Sequence, residues 1–383
     1  MMRLVILADD LTGALDTGVQ FAAAGVRTAV TVGDLPPGDC TVAVCDLETR
    51  QLTPDAAYAR TKAAVSNALA AGAEFLYLKT DSGLRGQIGA ELAAVQEAFP
   101  QVLFAPAYPE NRRVTKGGIH YIDGTPVSQS LFGRDARTPV RHDRVADVLR
   151  ESCSLPVREV SDPTALPAAP FVLLADAVTD ADLTAWAASG LSRGIRAYSG
   201  CAGMAKALQP LLSLPRESAL AAPAAAPLLT VCGSISPVSR AQLTFAQKAG
   251  IPAVRLRDAD PAALAAALRA HGAAILASAY ADADVAENNA GGETADSVAE
   301  KLAALAAALL SEVRPLSLFV IGGDTLMALT RALPGCQIRP LRELSSGVVL
   351  CELRVGKQSV TLVTKSGSFG EADVIVKIRE ILP

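Results

Sequence analysis

Along the chain, apolar residues gather into short unbroken runs. Each run is followed by a polar loop and then by a segment whose apolar positions recur at helical spacing. LVILA leads into DDLTG and then into a face made of Leu15, Val19 and Ala22, closed by Gly25. FLYL leads into KTDSGLRG and then into Ile88, Leu92, Val95 and Phe99, spaced i, i+4, i+7 and i+11. FVLLAD and IRAYSG open the same sequence of events. Alternating strands and helices predict a parallel sheet with helices on both faces. One stretch departs from the rule: IHYIDGTPV predicts a β-hairpin about an Asp-Gly turn, projecting from the sheet.

The pattern breaks at QPLLSLPRESALAAPAAAP, residues 209–227, where Pro and Ala replace periodicity. A second α/β region then starts at LLTVCGSISP. Within it YADADVAENNAGGETADS reads as a polar surface excursion. The predicted organisation is a domain over residues 1–208, a linker over 209–227 and a second domain over 228–383, each mostly parallel sheet flanked by helices. A chain of 383 residues exceeds what one core usually spans, which agrees. With half its residues apolar and 19% charged, the chain reads as globular rather than disordered. A net charge of −4 without a basic run argues against nucleic acid as a partner. The apolar run at the start is too short for a signal peptide, and no charge-free stretch approaches the roughly 18 residues of a membrane span. Seven cysteines at irregular spacings predict buried reduced thiols in a cytoplasmic protein.

The chemistry begins where LVILA ends, at adjacent carboxylates Asp9 and Asp10. Two like charges side by side cost stability unless water, a cation or a ligand answers them. In open parallel sheets, ligands bind beyond the carboxyl ends of the strands. In the first domain those ends carry Asp9, Asp10, Asp46, Lys79 with Asp81 and Arg85, Glu110 with Asn111, and Asp176. Such a rim suits a small polyhydroxylated acid, with carboxylates accepting from hydroxyls and Arg or Lys holding the substrate carboxylate. The second domain uses glycine and hydroxyls instead. GSISPVSR, GGDT and KSGSFG each follow an apolar run and precede a helical one, and Ser236 with Pro237 reads as a helix start. Glycines let backbone N–H groups approach a phosphate, and a helix N-terminus adds favourable partial charge. Three such loops, one carrying Lys365, favour a nucleotide phosphate site, although neither a Walker A sequence nor GxGxxG is present. Three histidines without metal-ligand spacing, and no GxSxG, leave zinc sites and serine hydrolases without their signs. Cys201 lacks a basic neighbour and reads as a small residue in a turn.

In order along the chain, ILADDLTGALDTG, KTDSGLRGQIGAEL, FAPAYPENRR with GGIHYIDGTPV, DAVTDADL, SGCAGMAKAL, GSISPVSRAQ, IGGDT and VTKSGSFG resemble the signatures of the four-carbon acid sugar kinases. The resemblance spans essentially the whole chain. It implies a sugar-acid-binding N-terminal domain and an ATP-binding C-terminal domain, with the active site in the cleft between them. The implied reaction is ATP-dependent, Mg²⁺-assisted phosphorylation of the terminal C4 hydroxyl. Leu11 and the DTGVQ run resemble the D-threonate-specific members, with D-erythronate and 3-oxo-tetronates as the alternatives. Carried over by residue, the resemblance implies Asp10, Asp81 and Asp324 as catalytic candidates. Asp9, Lys79, Ser82, Arg85 and Asn111 would bind the sugar acid, with Arg85 clamping its carboxylate. Gly233, Ser234, Gly322, Gly323, Thr325, Lys365, Gly367 and Gly370 would bind the nucleotide. Asp324 has three readings: facing Mg²⁺, acting as base from the nucleotide side, or capping its helix. Two small-residue swaps depart from the family pattern, in the turn Gly200-Cys201-Ala202-Gly203 and in Lys365-Ser366-Gly367, and both bear on fine fit. A non-catalytic sensor of sugar acid and nucleotide, or a sugar-acid lyase, would use parts of the same rim. Homo-oligomerisation is left open by the sequence.

Overall fold

The computed structural model describes residues 2–36, 40–135, 137–168, 170–217, 226–367 and 369–382. The chain divides into two compact units, Met1–Ser218 and Ala219–Pro383. Residues 218–225 of the expected linker lie outside the described residues.

The strands of the first unit are β1 (Leu4–Ala8), β2 (Thr28–Val32), β3 (Val42–Asp46), β4 (Phe75–Lys79), β5 (Val102–Ala105), β6 (Arg113–Lys116), β7 (Ile119–Ile122), β8 (Thr125–Pro126), β9 (Val157–Val160), β10 (Val172–Ala175) and β11 (Ala197–Gly200). Its helices are α1 (Leu11–Ala22), α2 (Pro54–Ala70), α3 (Ile88–Ala98), α4 (Val145–Ser152), α5 (Asp180–Ser192) and α6 (Ala202–Leu208). The main sheet runs β2-β3-β1-β4-β11-β5-β10-β9 and is parallel throughout. Every residue of β1 is buried, as an all-apolar strand covered on both faces requires. Helices start where the sequence supplies caps. Asp10 accepts from the Gly13 N–H at 2.9 Å, Thr53 precedes Pro54, and Thr179 with Asp182 forms a reciprocal capping box. On α3 the expected apolar face is buried at Ile88, Leu92 and Val95, against Leu78 and Phe104 of the sheet.

The expected hairpin is β7–β8, turning on Asp123 (φ 51°) and Gly124 (φ 80°), the double positive φ of a tight hairpin turn. A further strand, β6, pairs with β7 through a turn at Gly117 and Gly118. Residues 209–217 pack on this same unit: Leu212 and Leu214 are buried, and the Glu217 N–H donates to the Gly25 carbonyl at 2.7 Å.

The second unit contains β12 (Leu228–Cys232), β13 (Ala253–Arg255), β14 (Ala273–Ala277), β15 (Ser317–Ile321), β16 (Gln337–Ser345), β17 (Val348–Val355) and β18 (Gln358–Lys365). Its helices are α7 (Pro237–Lys248), α8 (Pro261–His271), α9 (Asp282–Ala290), α10 (Ala295–Glu312), α11 (Gly323–Ala332) and α12 (Val374–Ile381). Strands β13-β14-β12-β15-β18 are parallel, and β18-β17-β16 continue as an antiparallel meander. The meander turns at Gly347 (φ 70°) and Gly356 (φ 58°), which no other residue type adopts so readily. The polar excursion of the sequence reading becomes α9. There the Asp284 carboxylate accepts from the N–H groups of Tyr280 and Ala281 at 2.8 and 3.0 Å, so capping sets a helix without a strong apolar stripe. Among the described residues, no helix is long and apolar enough to cross a membrane.

Candidate active site

At the carboxyl end of β1 the chain turns through Asp9 and Asp10 into α1. Asp9 is 2% exposed, and Asp10 is the N-cap of the helix. Their cation is Arg50, from the loop after β3. Its Nε donates to Asp9 Oδ2 at 2.6 Å, and its two Nη atoms each lie 2.8 Å from a different Asp10 oxygen. The doubled acid is thus answered by one guanidinium fork, which binds Asp10 bidentately. Arg50 also lies 3.7 Å from Asp81, at the start of the loop after β4. Asp81 is itself held bidentately by Arg85 (2.8 and 3.0 Å), whose remaining arm donates to Asp135 at 3.0 Å. Lys79, the last residue of β4, is buried close to Gly13 and Asp10; a side chain at Gly13 would collide with its ammonium.

These contacts set distinct protonation behaviour for the acids. Burial disfavours charge on Asp9, Arg50 only partly offsets it, and the Asp10 charge adds to it, so Asp9 holds its proton more tightly than a free carboxyl. For Asp10 burial is outweighed by Arg50 and Lys79, and it titrates below its ordinary value. Asp81 is depressed furthest: burial opposes ionisation, but Arg85 and Arg50 overwhelm it. Burial also opposes the charge on Lys79, yet Asp9 and Asp10 keep it an ammonium. Adjacent carboxylates with opposite shifts can take different roles in one reaction.

Beneath this layer sit two further buried acids. Asp46 accepts from the Glu48 N–H at 2.9 Å, and Glu91 of α3 accepts from the Thr49 hydroxyl. Both brace the loop that delivers Arg50. Burial, with the nearby Asp9 charge, pushes Glu91 up to about 7. On the other side, Ser82 accepts from the Arg113 guanidinium, and its carbonyl accepts from His120 Nε2 at 3.1 Å. That contact assigns the Nε2–H tautomer of a fully buried imidazole, whose Nδ1 faces the Thr115 hydroxyl at 3.0 Å. Phe132 lies under the guanidinium groups of both Arg85 and Arg113, 5.1 and 5.5 Å from its ring centre. Asn111 ends a short turn after β5, partly buried, and belongs to a neighbouring segment of the rim. Glu110 pairs with Lys206 at 2.6 Å, and Asp176 accepts from the N–H groups of Gly117 and Gly118, so both serve local structure.

The second unit brings its three loops together around Ser234. Added Cβ atoms at Gly233 and Gly367 would strike Thr325 Oγ1 and Ser234 Oγ respectively, and Gly322 (φ 114°) lies next to the Ser234 backbone. Ser236, the N-cap of α7, and Ser239 within it both donate to the Gly367 carbonyl, at 2.6 and 2.8 Å. The buried Gln242 amide donates to the carbonyls of Phe369, Gly370 and Glu371 at 3.0, 2.8 and 3.1 Å. Because C=O and the following N–H of a trans peptide point opposite ways, fixing the first two carbonyls on Gln242 turns the N–H groups of Gly370 and Glu371 away from α7. Gly322 and Gly323 open α11, whose N-terminus adds its own unpaired N–H groups. Lys365, at the end of β18, is 1% exposed and donates to the Ser366 carbonyl at 2.9 Å; burial lowers its pKa to about 8. Asp324 stands exposed in the first turn of α11.

Each unit therefore gathers most of its sequence-predicted residues: Asp9, Asp10, Lys79, Asp81, Ser82 and Arg85 in one, and the three glycine loops with Thr325 and Lys365 in the other. Sequence reasoning missed Arg50, Glu91 and Asp135 in the first unit and Ser239 and Gln242 in the second. Arg50 had a usable signal, since DLETRQLTP is another strand-to-helix loop at the same sheet edge. Gln242 had none, because it lies inside a helix far along the chain from the loop it holds.

The comparisons with known proteins divide the chain in the same two parts. A family model described as a sugar-binding N-terminal domain matches residues 4–208, and one described as a nucleotide-binding C-terminal domain matches residues 229–375. The chain is 31% identical to a D-threonate kinase of Bordetella bronchiseptica, over 98% of this chain and 96% of that one. It is also 31% identical to a D-threonate kinase of Cupriavidus necator, over 96% and 95%. Among solved structures, a Salmonella typhimurium LT2 protein described as a putative tRNA synthase superposes with a TM-score of 0.80 at 21% identity, covering all of both chains, which speaks to the fold alone.

Proposed function

This chain belongs to the four-carbon acid sugar kinase family, and on that premise we propose that it transfers the γ-phosphoryl group of ATP to the C4 hydroxyl of a four-carbon sugar acid, D-threonate foremost. The observation that carries the reading is the pairing of chemistries. One unit holds a buried carboxylate–guanidinium–ammonium network suited to a polyhydroxylated anion, and the other a hydroxyl-lined glycine centre with a lysine suited to phosphates.

In the proposed reaction the C4 oxygen attacks phosphorus in line. A new O–P bond forms, the bond to the ADP oxygen breaks, and the hydroxyl proton leaves to a carboxylate. Asp10 suits that last task better than Asp81. It is the more exposed of the two, whereas Asp81 is locked between two guanidinium groups that hold it ionised and unwilling to accept a proton. Asp9, which retains its proton more readily, would hydrogen-bond a substrate hydroxyl. Lys79 and Arg85 supply the positive field for the substrate carboxylate, with Asp135 and Phe132 fixing the Arg85 plane. Ser82 and Asn111 would complete the rim.

On the nucleotide side, Gly233, Ser234, Gly322, Gly323, Gly367 and Gly370 would bring backbone N–H groups to the phosphates. Thr325 would contribute its hydroxyl and Lys365 a cation. Among the described residues no group of three or more His, Cys, Asp or Glu forms a metal cage. A lone carboxylate, Asp324, beside phosphate-binding loops fits Mg²⁺ held mainly by the nucleotide and water. The ion, when bound, offsets charge on the phosphates. A coupled assay with Mg-ATP tests the reading: turnover should require a four-carbon sugar acid, with D-threonate ahead of D-erythronate and 3-oxo-tetronates. Equal turnover with aldoses lacking a carboxylate would overturn it.

A further inference from the structure

In the first unit the loop after β4, which carries Asp81, Ser82 and Arg85, is held from two sides. From inside, Asp81 Oδ2 accepts from the N–H groups of Gly83 and Arg85 at 3.2 and 3.3 Å. From outside, the small sheet grips Ser82. The Arg113 guanidinium of β6 donates to its hydroxyl, and His120 Nε2 of β7 donates to its carbonyl at 3.1 Å. Leu84, buried in the middle of the loop, sits at φ 63°, a left-handed conformation that a bulky residue keeps only where its surroundings impose it. An added Cβ at Gly83 would strike the Phe132 ring, so this position has no side chain to resist rotation of the peptide before it. Hydrogen bonds must fix that peptide instead.

The two bonds that do so lie at opposite ends of one rigid unit. The Ser82 carbonyl and the Gly83 N–H belong to the same trans peptide and point opposite ways. Pinning the carbonyl on His120 therefore aims the N–H at Asp81. A neutral imidazole can do this in one tautomer only, with the proton on Nε2 and a lone pair on Nδ1. Thr115 sits directly across from His120 in the β6–β7 pairing, is equally buried, and places its hydroxyl 3.0 Å from Nδ1. Burial also lowers the imidazole to about 4, so Nδ1 remains an acceptor at neutral pH. Thr115 in turn exchanges both backbone hydrogen bonds with Ala177, at 2.9 and 3.0 Å, which anchors β6 to the segment after β10.

We propose that His120 is a positioning residue for the sugar acid, acting through the Ser82–Gly83 peptide to hold the Asp81 carboxylate in register. Asp81 binds Arg85 bidentately and lies 3.7 Å from Arg50, so a shift of this one carboxylate is felt by both cations of the rim. The kinetic consequence rests on the sugar-acid reading of this unit, whereas the contact itself stands apart from it. His120 touches no reacting atom in this arrangement. It sets the geometry of groups that do, where small misplacements are costly.

The test compares His120→Asn with His120→Gln in the full-length protein. A glutamine amide nitrogen reaches as far as Nε2, whereas that of asparagine reaches only as far as Nδ1, so glutamine alone keeps the donor to Ser82. With Mg-ATP and D-threonate, His120→Asn should raise the sugar-acid KM about tenfold or more while the ATP KM changes by less than about twofold, and His120→Gln should hold the sugar-acid KM within about threefold of wild type. Hydrogen exchange followed by NMR on glycine-labelled protein without ligands reads the Gly83 amide directly. Its exchange should accelerate by about tenfold or more in His120→Asn and stay near wild type in His120→Gln. An unchanged sugar-acid KM or unchanged Gly83 exchange in folded His120→Asn overturns the proposal, as does equal damage by both substitutions. Should His120→Asn fail to fold, Thr115→Val, which frees the tautomer, decides by the same two readings, and normal values there overturn it. Wild-type protein that turns over no four-carbon sugar acid overturns the sugar-acid reading instead, and Gly83 exchange still decides the contact.

Discussion

The two units assemble charge by opposite means. The first buries whole charges and cancels them against each other: Arg50 spans Asp9 and Asp10, and Arg85 spans Asp81 and Asp135. The second uses backbone N–H groups, hydroxyls and a helix N-terminus, with one buried lysine that has no carboxylate against it among the described residues. A network of paired full charges is rigid and stereochemically selective, but it is fragile, because deleting one member strands another in low dielectric. A centre made of partial charges depends on close approach instead, so it is sensitive to added volume rather than to lost charge.

That contrast can be broken most forcefully at Asp10. Asp10→Asn should lower kcat by roughly 10²–10⁴, the span of a general acid–base group, while ADP affinity measured by calorimetry stays put. Normal turnover by this variant, with Asp324→Asn inactive at unchanged nucleotide affinity, would move the base to the nucleotide side, to Asp324.

Arg50→Met comes next. Stranding buried Asp9 should cost about 3–5 kcal/mol in urea unfolding, and Asp9→Asn added to it should recover part of that loss. In the second unit Lys365→Met should cost little stability or raise it, since it removes a buried charge without an acid partner. An equal loss at both positions would erase the distinction drawn between the units.

A smaller effect is expected from volume. Gly367→Ala pushes a methyl group against Ser234 and should weaken ADP by about 5–100-fold, in line with the cost of overpacking, with sugar-acid affinity unaffected. Lys365 adds a pH signature: its pKa of about 8 should rise when phosphates arrive, so ADP binding takes up a proton near pH 8 in the wild type and not in Lys365→Met.

The smallest effect concerns stability against pH. Glu91 titrates at about 7, above its ordinary 4.5, because burial and Asp9 disfavour its charge. Its contribution to stability is present below about 4.5 and lost as pH rises through about 7. His120 acts in the reverse sense: burial lowers it from 6.5 to about 4, so its contribution is lost as pH falls through that window. Thermal unfolding of Glu91→Gln should lose the first slope, and His120→Gln the second.

Much of this was decided locally and could be read from the chain. Uninterrupted hydrocarbon in LVILA, capping at Asp10, the Asp-Gly hairpin turn and the glycine loops before helices all act within a few residues, and the tertiary fold left them as they were. Parallel sheet order then carried the acidic loops to one edge, as strand–loop–helix alternation implied. Local pattern was weakest where it was short or polar: β6, the antiparallel strands β16 and β17, and the capped helix α9 have little periodicity to announce them. What only the tertiary structure decided is the pairing. Arg50 meets Asp9 across 41 residues, Arg85 meets Asp135 across 50, and Gln242 holds the Phe369 carbonyl across 127. A carboxylate on a loop looks the same in sequence whether it waits for a substrate or is already held by a guanidinium. Which acid keeps its proton, and which is locked as an anion, depends on burial and on partners that chain folding alone brings within 3 Å.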